Sequence, residues 1–196
     1  DNQRDAVKGA EVYGTLTQGF VSGATTEDIV AKTILGSDEL VDYLAPNQVV
    51  NYVEAHDNYN LNDLLWTLNP KDTPQMHVRR VELANTLNLL SQGMCFMQLG
   101  QEFLRTKRVA TGEGGTLTPK DLHYAMNSYN APDTVNQINW DLVTYHKETI
   151  AFVRKLIALK TKDSGFSWDN FNDIRQHVYV ESAIPGSGYM SFIIDG

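Results

Sequence analysis

The segment from Val49 to Asn58 places the strongest constraint on how this chain folds. Its first five residues, Val49-Val50-Asn51-Tyr52-Val53, are rich in types that favour packed β-strands, and we predict a strand over residues 49–55. That strand runs directly into the polar triplet His56-Asp57-Asn58. In α/β enzymes, titratable groups at the carboxyl ends of strands carry the chemistry. The segment therefore predicts an α/β fold with a candidate site at the end of this strand.

A helix and a second short apolar run follow this strand. Residues 75–92 have helical periodicity, with Leu83, Leu87 and Leu90 on one face, and Gly93 is predicted to end the helix. Residues 94–99 are apolar apart from one glutamine, which is typical of a short buried strand. A strand, a helix and a strand in this order predict a parallel pair with a right-handed crossover.

The remaining segments predict further helices and a change of architecture near residue 165. Helices are expected over residues 26–35, 60–68 and 145–160, and a long glycine-rich surface loop over residues 107–122. After Gly165, alternating strand patterns at Val178–Val180 and Tyr189–Ile193 flank a turn-rich segment, residues 185–188, typical of a hairpin. We therefore expect one domain over residues 1–165 and the start of an all-β domain over residues 166–196.

Composition excludes some classes of partner. The formal net charge of −8, from 16 basic and 24 acidic residues, argues against nucleic acid and against anionic membrane surfaces. No apolar run approaches the roughly 20 residues needed to span a bilayer. The single cysteine, Cys95, is expected to be a buried, inert thiol, and no metal-ligand cluster is visible. Because the chain lacks an initiator Met and a signal peptide, we expect it to be an excised part of a longer protein.

His56 and Asp57 are the strongest candidates for chemistry. A carboxylate in this position can stabilise positive charge on a sugar carbon, and an imidazole beside it can donate to a sugar hydroxyl. The alternative is a loop aspartate that caps a helix, with a histidine bonded to a carbonyl group.

Glu102 could face a cleft or anchor a loop. Arg4-Asp5 is expected to be a salt-bridged helix start, Glu113 a solvated loop residue, and the remaining histidines structural or superficial: His77, His123, His146 and His177.

Several segments carry a resemblance to a known family. Residues 49–58 resemble the fourth conserved segment of the α-amylase superfamily, glycoside hydrolase family 13. The run Gly100-Gln101-Glu102-Phe103-Leu104-Arg105-Thr106-Lys107 is similar to type I pullulanases, and so are residues 127–133 and 136–140. The opening residues 1–9 and residues 19–23 fit the same family.

This resemblance implies a fold, a reaction and roles for particular residues. The fold would be a partial (β/α)8 barrel, roughly strands seven and eight with their helices, followed by the first strands of a C-terminal β-sandwich. The reaction would be retaining hydrolysis of α-1,6-glucosidic bonds, with Asp57 as the transition-state stabiliser and His56, Asn58, Asn127 and Tyr129 as substrate-binding residues. The nucleophile and the acid/base would lie upstream, so the isolated chain is expected to be inactive.

The resemblance also sets expectations about partners. The substrate would be an α-glucan such as pullulan, amylopectin or glycogen; no cofactor is required, and calcium is possible in the parent enzyme without an assignable site here. Unpaired barrel edges predict a homo-oligomer. Location stays open, with a secreted or cell-surface bacterial enzyme favoured over a cytoplasmic one. The loop at residues 108–126 is longer than the family pattern. The alternative function is a non-catalytic α-glucan-binding or structural module. In that module Trp66, Trp140, Trp168 and the nine tyrosines are candidates for stacking on sugar rings, although most of them are expected to be core residues.

Overall fold

The fold combines short strands with longer helices in a small α/β arrangement. The computed structural model describes residues 2–195; Asp1, the first residue of the segment 1–9 that fits the family, and Gly196 lie outside the described residues. The strands are β1 Gly9–Val12, β2 Thr15–Gln18, β3 Val50–Asn51, β4 Met94–Cys95, β5 Val178–Ser182 and β6 Ser191–Ile194. The helices are α1 Asn2–Lys8, α2 Glu27–Ile34, α3 Leu61–Leu68, α4 Pro74–Leu89, α5 Pro119–Met126, α6 Asp133–Asn136, α7 Asp141–Tyr145, α8 Lys147–Lys162 and α9 Phe171–His177.

Over residues 2–195, the strands pair two by two. β1 and β2 form an antiparallel hairpin, β3 and β4 pair in parallel, and β5 and β6 pair antiparallel. The predicted parallel pair and the predicted C-terminal hairpin are therefore confirmed. A closed or many-stranded barrel sheet is not formed by the part of the chain that the structure describes.

Both predicted strands of the parallel pair are shorter than expected. The strands predicted over residues 49–55 and 94–99 shrink to two residues each. Met94, Phe96 and Leu99 are also about half exposed, so the prediction of a buried second strand is wrong. The physical reason is that a two-stranded sheet offers no neighbouring strand to extend the ladder and no layer to cover its outer face.

Helix starts follow local capping chemistry. The side chains of Asn60 and Thr73 accept hydrogen bonds from backbone N–H groups at the first turns of α3 and α4, and Pro74 occupies the first helical position of α4. The predicted helices over residues 26–35 and 60–68 are confirmed to within one residue at each end. The helix predicted over residues 75–92 ends at Leu89, before Gly93, and Leu83 is partly exposed instead of buried with Leu87.

Three segments differ from the sequence-based prediction. The long loop predicted over residues 107–122 ends at Thr118, whose side chain caps α5 in a reciprocal pair with Asp121. The helix predicted from residue 145 begins at Lys147 and follows the short helix α7. The β1–β2 hairpin and α9 were not predicted, and of α1 only the helix start at Arg4-Asp5 was predicted, because residues 1–24 and 166–177 carry weak periodic signals.

Three clusters of apolar side chains form the core. The first joins α1, α2, α3 and α4 and includes Val7, Val30, Leu65 and Ala84. Met190 and Phe192, near the carboxyl end of the chain, pack against this first cluster. The other two clusters centre on Ile174 and on Leu156, respectively. The division into domains at residue 165 stays a prediction.

Candidate active site

The parallel strand pair brings the ends of two chain segments to one edge. Val50 lies opposite Met94 and Asn51 opposite Cys95, and the N–H of Phe96 donates to the carbonyl of Asn51 at 2.8 Å. Because the strands run in the same direction, the residues that follow them emerge on the same side. The His56-Asp57 segment after β3 and the Gly100–Lys107 segment after β4 therefore lie next to each other.

A cavity of about 190 Å³ opens at this edge. Three of the five predicted site residues, His56, Asp57 and Tyr129, contribute to its lining. Asn58 and Asn127 are not among the lining residues, although the neighbour of Asn127, Ser128, is. The further polar lining comes from groups outside the predicted set, among them Glu54, Asn60, Arg105, Lys107 and Asn136.

The His56 and Asp57 side chains are open to solvent. They are 84% and 71% exposed, and His56 Nε2 lies 3.3 Å from Asp57 Oδ2. The cap of the following helix is Asn60, whose Oδ1 accepts from the N–H of Asp63 at 2.9 Å. Asp57 is thus free of a helix-capping role and its carboxylate is available to a ligand in the cavity.

Two buried lysines lie beneath this pair. Lys8 Nζ donates to the carbonyl oxygen of Tyr59 at 2.6 Å. Lys107 Nζ donates to the carbonyl oxygen of Asn58 at 2.7 Å and lies 3.5 Å from that of His56. Both lysines are almost completely inaccessible to solvent. Their ammonium groups therefore bind the backbone of residues 56–59 from the protein side.

Glu54 completes this buried polar layer. Its Oε2 accepts from the backbone N–H of Leu61 at 2.8 Å, at the start of α3. Burial raises the pKa of Glu54, while the N–H of Leu61 and the charge of Lys8 act in the opposite direction. Burial likewise lowers the pKa of Lys8, and the negative charge of Glu54 opposes that shift. Opposite charges thus share the interior and reduce each other's desolvation cost.

Asp63 connects α3 to the segment after β4. Its carboxylate accepts from Thr106 Oγ1 at 2.6 Å and from the N–H of Lys107 at 2.7 Å. Burial raises the pKa of Asp63, although these two hydrogen bonds lower it. Asn60 Nδ2 adds a bond to the carbonyl of Arg105 at 2.7 Å, and Arg105 Nη2 reaches the carbonyl of Asn136 at 2.6 Å. The cavity floor is therefore a continuous hydrogen-bonded unit.

Sequence reasoning missed most of this floor. Lys8, Glu54, Arg105 and Lys107 were not predicted as site residues, because charged side chains are rarely buried and a pattern of residue types does not reveal burial. The available signal was position: Glu54 lies two residues before His56, and Arg105 and Lys107 follow the second strand of the parallel pair.

The other residues considered in the sequence analysis have structural or solvent-exposed positions. Arg4 and Asp5 form a salt bridge at 2.6 Å within α1, as expected of a helix start. Glu102 Oε2 accepts from the N–H of Gly100 at 3.0 Å, which is the loop-anchoring alternative. Glu113 lies in an exposed loop. Cys95 is half-buried, and burial raises the pKa of its thiol.

His77 is structural. It lies inside the protein, stacked on Trp66, with Nε2 2.8 Å from Asn62 Oδ1. Within residues 2–195, no group of three or more His, Cys, Asp or Glu side chains is arranged to hold a metal ion. In the same range, no helix is both long and apolar enough to cross a membrane.

Comparison with known proteins gives consistent matches at the level of sequence. No protein-family model matches the chain. The pullulanase of Bacillus subtilis (strain 168) is 31% identical over 182 residues, which cover 91% of this chain and 23% of that protein. The chain resembles pullulanases. The chloroplastic pullulanase 1 of Arabidopsis thaliana is 29% identical over 175 residues, covering 77% of this chain and 18% of that protein. The chain thus spans less than a quarter of the length of these curated relatives.

Solved pullulanase structures share the fold. The pullulanase of Bacillus acidopullulyticus superposes with a TM-score of 0.82 at 31% identity, covering 97% of this chain and 21% of that one. The pullulanase of Paenibacillus barengoltzii, in complex with maltohexaose and α-cyclodextrin, superposes with a TM-score of 0.80 at 32% identity, covering 97% and 28%. The α/β arrangement is therefore the one that pullulanases contain over this stretch.

Proposed function

We propose that this chain forms part of a starch- or pullulan-debranching glycosidase and supplies one wall of its α-glucan site. The observation that carries the proposal is the solvent-exposed His56-Asp57 pair, which follows the carboxyl end of β3 and lines a cavity together with other polar residues. Asp57 acts as the carboxylate that stabilises positive charge on the sugar, and His56 donates to a sugar hydroxyl. Tyr129, at the cavity lining, and Asn58 and Asn127, beside it, complete the proposed substrate contacts.

In this proposal the parallel pair corresponds to two neighbouring strands of a (β/α)8 barrel, roughly the seventh and eighth, and the β5–β6 hairpin begins a β-sandwich. The superposition on pullulanases supports this assignment. The reaction is hydrolysis of α-1,6-glucosidic bonds with retention, for which two further carboxylates from the rest of the enzyme are needed. Consequently the 196-residue chain is proposed to bind α-glucan weakly and to be inactive alone.

Calorimetric titration with maltotetraose tests the site. We expect heat of binding with the wild-type chain and at least a roughly tenfold loss of affinity in Asp57→Ala, since a charged hydrogen-bond partner contributes about 1.5–3 kcal/mol. The matched control is Asp169→Ala, which removes an exposed carboxylate outside the cavity lining. Equal affinities of wild type and Asp57→Ala, or no binding by the wild type, would contradict the proposal.

A reducing-sugar assay on pullulan tests the claim of inactivity. Release of sugar by the purified chain would show that it contains its own nucleophile and acid/base, and the proposed division of the active site would then be wrong.

The second candidate is a non-catalytic α-glucan-binding module. The exposed rings of Tyr129 and Trp140, 81% and 62% accessible, favour it because aromatic faces stack on sugars. Under this alternative, Tyr129→Ala would weaken maltotetraose binding more than Asp57→Ala does, which reverses the order expected for a catalytic subsite.

We also propose that the half-exposed apolar side chains of the parallel pair, Val50, Met94 and Phe96, drive self-association of the isolated chain. Size-exclusion chromatography would show a dimer or larger species. A monomer at concentrations of tens of micromolar would exclude this.

A further inference from the structure

We propose that Lys107, assisted by Lys8, is a positioning residue that fixes the His56-Asp57 pair in its orientation toward the cavity. The proposal rests on the proposed function, because it assigns a purpose to the orientation of these two side chains. In this assignment neither lysine is a reactive group: Lys107 contributes to the cavity lining, but both lysines act through the backbone of residues 56–59.

The hydrogen bonds single out one turn of the chain. Lys107 Nζ contacts the carbonyl oxygens of Asn58 and His56 at 2.7 and 3.5 Å, and Lys8 Nζ contacts that of Tyr59 at 2.6 Å. Three of the four carbonyl groups from His56 to Tyr59 therefore face a buried ammonium group. The only carbonyl left over belongs to Asp57, the residue whose side chain projects into the cavity.

The turn includes a residue in a sparsely populated backbone conformation. Asn58 has a φ of 63°, in the left-handed region, which asparagine adopts more readily than other non-glycine residues but still seldom. A conformation of this kind persists when surrounding contacts determine it. The ammonium groups supply these contacts, since a carbonyl oxygen bonded to a cation cannot rotate away without leaving a buried charge unpaired.

Lys107 is also held by contacts on the side away from the turn. The N–H of Lys107 is bonded to Asp63 at 2.7 Å, and its Nζ lies 3.4 Å from Ser128 Oγ, which belongs to the same cavity wall as Tyr129. Burial lowers the pKa of Lys107, whereas the carboxylates of Asp63, Glu54 and Asp57 raise it. Lys107 thus connects to helix α3 through its backbone N–H, and to the loop before α6 and the His56-Asp57 turn through its Nζ.

Lys107→Met tests the assignment, because methionine keeps most of the length of the unbranched side chain and removes the charge and the donors. Backbone ¹⁵N order parameters would be measured for residues 56–59 in the full chain, together with the affinity for maltotetraose. We expect order parameters of about 0.85 in the wild type and below about 0.6 in the variant, at this turn alone. Affinity is expected to fall roughly tenfold. Lys155→Met, which changes an exposed lysine of α8, is the control and should alter neither quantity.

The outcomes separate this proposal from the proposed function. A turn that stays rigid in Lys107→Met overturns the positioning role, whatever the affinity. A loosened turn with unchanged affinity also overturns it, because the orientation would not matter for binding. If the wild type does not bind maltotetraose, the proposed function fails, and the order parameters alone decide whether Lys107 holds the turn.

A second variant covers the case in which Lys107→Met does not fold. Lys8→Met removes the bond to the carbonyl of Tyr59 and is expected to loosen residues 58–60. In the wild type itself, order parameters below about 0.6 at residues 56–59 would overturn the proposal, because a turn that is already mobile is not being held.

Discussion

The buried imidazole of His77 should make the stability of this protein depend on pH. The ring is 1% exposed, stacks on Trp66 with a centroid distance of 4.0 Å and places Nε2 2.8 Å from Asn62 Oδ1. Since that oxygen only accepts, Nε2 carries the hydrogen and Nδ1 is the site of further protonation. Nδ1 is buried and has no hydrogen-bond partner within residues 2–195, so a proton added there is poorly stabilised.

The size of the effect follows from the pKa. Burial lowers the pKa of His77 from 6.5 to about 4; Asp72 raises it, and Arg80 and His146 lower it further. The unfolded chain therefore binds a proton more readily than the folded one between pH 6.5 and 4. Stability from this group is complete above pH 6.5 and is lost as the pH falls toward 4. The full difference is about 3 kcal/mol, and about 2 kcal/mol of it is lost by pH 5.

Urea unfolding followed by tryptophan fluorescence at pH 7.5 and pH 5 measures this loss. The variant His77→Gln keeps an N–H donor for Asn62 but does not titrate. We expect the wild type to lose about 2 kcal/mol more than His77→Gln between the two pH values. His123→Gln, which replaces an exposed histidine, is the matched control and should follow the wild type. Parallel losses in wild type and His77→Gln would refute the reasoning.

Three further substitutions test the core, a helix cap and the C-terminal hairpin. Leu65→Ala removes a fully buried side chain from the first cluster and should cost about 2–5 kcal/mol in urea unfolding, against less than about 0.5 kcal/mol for the 89%-exposed Leu44. Asn60→Ala should cost at least about 1 kcal/mol in the same assay, because it removes the cap of α3 and the bond to Arg105. Glu27 accepts two N–H groups from the β5–β6 loop, and these lower its pKa although burial raises it. The stability that these two hydrogen bonds contribute is present above the ordinary pKa of 4.5 and is lost as the pH falls through the lower folded value. Glu27→Gln should therefore increase protease cleavage in the β5–β6 loop at neutral pH. Cleavage of the variant should also depend less on pH in the acid range than cleavage of the wild type.

The sequence was sufficient to predict the parallel strand pair next to the site, but not the buried polar residues beneath the cavity. The valine- and tyrosine-rich segment before His56-Asp57, and the apolar run after a long helix, predicted the parallel pair correctly, because these patterns depend on local residue types. The lengths of β3 and β4 depend on which strands lie beside them, and no local pattern contains that information. The burial of Lys8 and Lys107 depends on contacts between residues 51 and 49 positions apart along the chain, respectively.

Two missed elements have instructive causes. The β1–β2 hairpin turns at Tyr13-Gly14, both with positive φ of 50° and 82°, whereas this turn is usually recognised by asparagine or aspartate before the glycine. Because tyrosine is not typical of this turn, the sequence did not indicate the hairpin. The start of α5 did carry one, since Thr118-Pro119 followed by Asp121 is a capping pattern, but the preceding glycines made the segment look like continuous loop.

The packing of Met190 and Phe192 against the first cluster, together with the Glu27 contacts to Gly186 and Gly188, has a consequence for biosynthesis. These contacts join residues 159 and 161 positions apart, so they cannot form during translation until at least that much of the chain has left the ribosome. Until then the earlier helices present an unfinished apolar surface, which Met190 and Phe192 complete.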